Sequence, residues 1–141
     1  MTKQLVWRCE GSVEISDYTF SIWKKEHSWH LKIDSNDTNV VLDNICLYRL
    51  EHMMNNLLHL MSFNTTVIEV MGYINRDLFN HIYRVCSPRT DRKSVYLQFQ
   101  NSAFRFQYRD VPTIKSIRSF IGAIRREVRI ENESIKSLGD L

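Results

Sequence analysis

The sequence predicts an α+β fold: antiparallel sheet with two amphipathic helices, in the order four strands and a helix, then four strands and a helix. Three observations carry this. Apolar residues alternate at period two through Tyr18–Ile33 and again through Ser94–Tyr108, each time around polar turn residues, which is the pattern of β-hairpins. Further along, they recur at i, i+3, i+4 spacing at Leu47, Leu50, Met53, Met54, Leu57, Leu58 and Met61, and again at Ile114, Ile117, Phe120, Ile121, Ile124 and Val128. The two halves match in layout, although no residue-by-residue repeat accompanies it.

In chain order, Leu5, Trp7, Cys9, Val13 and Ile15 alternate with polar or charged neighbours and predict a long first strand, with Gly11 as the place for a bulge. Tyr18, Phe20 and Ile22, then Trp29, Leu31 and Ile33, form a hairpin about Lys24-Lys25-Glu26-His27. Asp34-Ser35-Asn36-Asp37 is turn chemistry, and Val40-Val41-Leu42 is a fourth short strand. Asp43 or Asn44 then offers an N-cap for a helix near 43–61, with His52 and His59 on its solvated side. Its methionines read as adaptable core filling.

Thr65–Tyr73 is apolar on both faces and predicts a central strand. Across Asn75–Val85 two periods compete: Leu78, Ile82 and Val85 suit a short helix, while Phe79, His81, Tyr83 and Val85 suit a strand, which is the reading taken. Cys86–Lys93 is a loop. Ser94–Phe99 and Phe104–Tyr108 form the last hairpin. Asp110 is the N-cap and Pro112 the first turn of a helix near 112–130. These elements make one domain, 1–130, followed by a polar tail, 131–141.

An apolar share of 43% supplies an ordinary core for one domain of 141 residues. Met1-Thr2-Lys3-Gln4 leads into no apolar leader, and no run approaches the ~18 residues of a membrane span, so a cytoplasmic protein without membrane attachment is expected. Cys9, Cys46 and Cys86 are odd in number and lack CxxC spacing, which fits reduced, buried thiols. The formal charge of +3 is unevenly spread: residues 1–83 net −3, residues 84–130 net +8 and residues 131–141 net −2. A region of that sign attracts phosphate backbones or an acidic protein surface.

The strands Tyr18-Thr19-Phe20-Ser21-Ile22, Ser28–Ile33, Val40–Leu42, Val95–Phe99 and Ala103–Arg109, each set followed by its helix, give a layout that resembles the Pur repeat and the related whirly-type proteins. That resemblance covers about 125 residues. It implies binding of single-stranded DNA or RNA on the sheets. The alternation itself places residues for such contacts. With the apolar strand residues turned toward the helices, the opposite faces present Trp23, His30, Lys32, Tyr96, Gln98, Arg105, Gln107 and Arg109. Lys115, Arg118, Arg125, Arg126 and Arg129 share the non-apolar side of the second helix. Bases stack on aromatic rings for roughly 1–3 kcal/mol each while cations follow the phosphates.

Enzyme chemistry finds little support. His27-x-x-His30 lacks a third nearby ligand, and HExxH, paired carboxylates and a Gly-rich phosphate loop are all missing. Cys86 in a basic loop with His81 nearby lacks a third group. No cofactor or metal is expected. The competing class is a small bacterial immunity or inhibitor protein that blocks a toxin or other enzyme through an acidic patch on its partner. A homo-oligomer is compatible with either class.

Overall fold

The computed structural model describes residues 10–62, 66–88 and 94–139. Its elements are β1 (Glu10–Ile15), β2 (Tyr18–Lys25), β3 (Ser28–Asp34), β4 (Asn39–Leu42), α1 (Leu47–Leu60), β5 (Glu69–Tyr73), β6 (Ile82–Cys86), β7 (Ser94–Phe99), β8 (Ser102–Gln107) and α2 (Val111–Gly139). The strands form two antiparallel sheets, β1-β2-β3-β4 and β5-β6-β7-β8, so the doubled four-strands-and-a-helix order is present.

Alternation sets which face of each sheet is buried. Val13, Phe20, Ile22, Leu31, Ile33 and Leu42 of the first sheet join Tyr83, Val85, Val95, Leu97, Phe104 and Phe106 of the second in a single core. The helices complete it with Leu50, Met53, Met54 and Leu57 from α1 and Ile114, Ile117, Ile121 and Ile124 from α2. Each such side chain contributes about 1.5–3 kcal/mol on burial. The two helices pack against each other, and the strands that α1 approaches most closely are β5, β6 and β7, those of the other half. Asn56 of α1 donates a 3.0 Å hydrogen bond to the Tyr83 hydroxyl of β6. Gly72, the cross-strand partner of Tyr83, makes room for that ring, since a Cβ there would lie 2.5 Å from the phenol oxygen.

Several expectations are corrected. Asp43 and Asn44 do not cap α1, which starts at Leu47 behind Cys46 with no side-chain cap. Asp43 is engaged by His30, and Asn44 turns the chain with φ 58° while accepting from Ser28 and Asn75. Of the predicted strand 65–73, Thr65 lies outside the described residues and the rest does not make a central strand. β5 is an edge strand, and Met71 on it, like Val67 and Ile68 before it, is exposed rather than buried. The Asn75–Val85 segment is a strand only from Ile82, after a 3-10 turn at Phe79–His81. The register passes unbroken through Gly11 opposite Ile22, so Gly11 marks no bulge.

Helix α2 runs on through 131–139, where a tail was expected. Cys46 is exposed and Cys86 partly so, which removes them from the core. The predicted strand Leu5–Cys9, Cys9 itself, and the part of the loop at 89–93 lie outside the described residues. Among the described residues, no helix is long and apolar enough to cross a membrane.

Candidate nucleic-acid interface

The strand registers sort the predicted surface residues onto two different sheets. On the outer face of the first, Trp23 sits opposite His30, with the rings stacked at 5.5 Å and 18°. His30 Nδ1 lies 2.7 Å from Asp43 Oδ1, and because an ionised carboxylate only accepts, the imidazole donates. Lys32, two residues on, lies 3.8 Å from Asp34. Glu14 shares this face through its pairing with Thr19, itself opposite Asp34, so acids and bases are interleaved on it.

The second sheet is different. Tyr96 is directly opposite Arg105 on one side and Cys86 on the other, and Gln98 is opposite Ala103 and Arg84. These side chains, with Met71 and Ile82, occupy one outward surface. Arg105 is exposed, and its Nε donates to Ser94 Oγ at 3.0 Å. Arg84 Nε lies 2.7 Å from Glu69 Oε1. Sequence reasoning missed Arg84, because the strand containing it was the least certain of the eight. Once Val85 is known to face inward, alternation places Arg84 beside Gln98.

Other predicted contacts fall elsewhere. Gln107 closes β8 and is tied to Asp110 in a capping box, its N–H donating to Asp110 Oδ2 at 2.7 Å. Asp110 also accepts from Ser16 at 2.5 Å, so this buried carboxylate joins the two halves. Arg109 and Tyr108 leave the sheet for a 3-10 turn, which takes both off the predicted strand faces. Tyr18, on the inward face with Phe20 and Ile22, packs edge-on against Phe104 and Phe106 of the core, and its hydroxyl accepts from the Arg105 N–H.

The basic face of α2 is also divided. Arg118 donates to Asn55 of α1 at 3.2 Å. Arg125 pairs with Glu51 and lies 4.9 Å from the Tyr48 ring centroid, so these two cations hold the helices together. Lys115 and Arg126 remain exposed, and the Arg129 side chain lies outside the described residues.

His81 and Cys86 are not brought together: His81 is buried and Cys86 lies on the outer face at the far end of β6. Among the described residues, no group of three or more His, Cys, Asp or Glu could hold a metal ion. Comparisons with protein-family models, with curated protein sequences and with solved structures find no match.

Proposed function

We propose that the chain binds single-stranded nucleic acid, with little sequence preference, on the outer face of the second sheet. The observation that carries this reading is the cross-strand pairing of Tyr96 with Arg105, beside Gln98 and Arg84, within the part of the chain that holds net charge +8. A base stacks on the tyrosine ring, while the guanidinium groups of Arg84 and Arg105 meet the phosphates. The resemblance of the doubled strand-and-helix order to Pur-repeat and whirly-type proteins points the same way. The Trp23–His30 face, where Glu14, Asp34 and Asp43 stand among the basic residues, compared with Glu69 on the second sheet, suits a polyanion less well.

The test is a titration of labelled single-stranded oligonucleotides across a range of salt. If about four phosphates are neutralised, log K against log salt has a slope near −3, from ~0.7 per contact. Changing both Arg84→Ala and Arg105→Ala flattens that slope, and Tyr96→Ala weakens binding at every salt concentration. A double arginine variant that binds as tightly as wild type would remove the sheet face from consideration. No oligonucleotide binding near physiological salt, with a stoichiometric complex formed on one acidic protein, would favour the inhibitor class instead.

A further inference from the structure

Among the described residues, β5 is an edge strand of the second sheet and no strand pairs with its outer side. At the opposite edge, β8 is anchored to the first half, since its Arg105 N–H meets the Tyr18 hydroxyl and its Ser102 Oγ donates to the Asn39 carbonyl. On β5 the ladder with β6 uses alternate residues. Ser87 N–H donates to the Ile68 carbonyl and Ile74 N–H to the His81 carbonyl, so even-numbered backbone groups point at β6. By strand alternation the N–H and C=O of Glu69, Met71 and Tyr73 point the other way, off the edge. Edges of this kind are usually blunted by proline, lysine or a bulge, and Glu69–Tyr73 holds none of these. The surroundings are apolar: Met71 is 67% exposed and Phe79 70%, with Ile68 and Ile82 also exposed.

We infer that the β5 edge pairs antiparallel with the β5 edge of a second copy of this chain, about a two-fold axis at Met71. The segment is complementary to itself. With Met71 opposite Met71 of the second copy, Glu69 falls opposite Tyr73 and Tyr73 opposite Glu69, and all the outward N–H and C=O groups of these residues are matched. Charge agrees with that register. Arg49 of α1 lies 4.5 Å from the Tyr73 ring centroid, so each Glu69, already held 2.7 Å from Arg84 of its own chain, gains a second cation from the other copy. A different register loses part of this match. So short a ladder places the dimer among small interfaces, with association that depends on concentration. The inference does not depend on the oligonucleotide reading.

Sedimentation of the full chain over a wide concentration range reads the association directly. Wild type passes from monomer to dimer with increasing concentration, and Met71→Lys, which sets two cations against each other at the axis, stays monomeric with an unchanged far-UV spectrum. Register is read by cross-linking in a chain carrying Cys9→Ser, Cys46→Ser and Cys86→Ser. There, Met71→Cys forms an interchain disulfide on mild oxidation, because a hydrogen-bonded antiparallel pair holds its Cα atoms about 5.5 Å apart, within disulfide reach. Val70→Cys, directed inward, does not. A wild-type chain that stays monomeric throughout, or a Val70→Cys chain that cross-links as well as Met71→Cys, overturns the proposal. Should Met71→Lys fail to fold, the cysteine pair decides it.

Discussion

His81 is fully buried at the end of a 3-10 turn, and neither ring nitrogen has a hydrogen bond of ordinary geometry. Burial pushes its pKa below the usual 6.5, while the backbone and carboxylate of Asp43 pull it partly back. A depressed histidine pKa means that the unfolded chain takes up a proton more readily than the folded one as pH falls. Its contribution is therefore intact above about pH 6.5 and declines as the pH drops from there through the folded pKa. Denaturant melts at about pH 7.5 and about pH 5.5 should show wild type losing stability, and His81→Leu should lose less over the same interval. Equal losses in both proteins would assign the acid sensitivity to other groups. The sequence placed His81 on one stripe with Phe79, Tyr83 and Val85, but its burial without an ordinary hydrogen bond depends on surroundings that no local spacing shows.

Among the elements, α1 shows most plainly what periodicity reveals and what it withholds. Its stripe predicted burial of Leu47, Leu50, Met53, Met54, Leu57, Leu58 and Met61; Leu58 is only half-buried and the others are buried. Leu57→Ala should cost about 2–5 kcal/mol by opening a cavity, read from denaturant melts. A loss below about 1 kcal/mol would mean the site collapses to fill the space. The spacing could not show which surface covers the stripe, because a 3.6 period is satisfied by any apolar partner. The same gap explains the basic face of α2. Arg118 and Arg125 fall on its polar side by spacing, yet their partners Asn55 and Glu51 lie 63 and 74 residues earlier in the chain. The Tyr96–Arg105 pair was legible for the opposite reason: a tight hairpin between β7 and β8 fixes the register, and period two does the rest. β5 misled because an apolar run on both faces reads as a central strand, and an exposed apolar edge gives the same letters.

At the scale of the whole molecule, the halves are tied across sequence rather than side by side. α1 rests on β5, β6 and β7, and Ser16 reaches Asp110 across 94 positions. Residues 1–62 and residues 63–141 produced as separate chains should each lack fixed tertiary packing, and mixing them should restore the dispersed NMR spectrum of the intact protein. A well-dispersed spectrum from the first piece alone would show that its sheet needs no cover from the second. The arrangement also acts during synthesis. At about 5–20 residues per second, on the order of 2–10 s pass between the appearance of α1 and completion of the sheet beneath it. Through that interval the part of the α1 stripe that β5, β6 and β7 cover lacks that cover, so translation speed over the second half sets how long the newborn chain is exposed to aggregation.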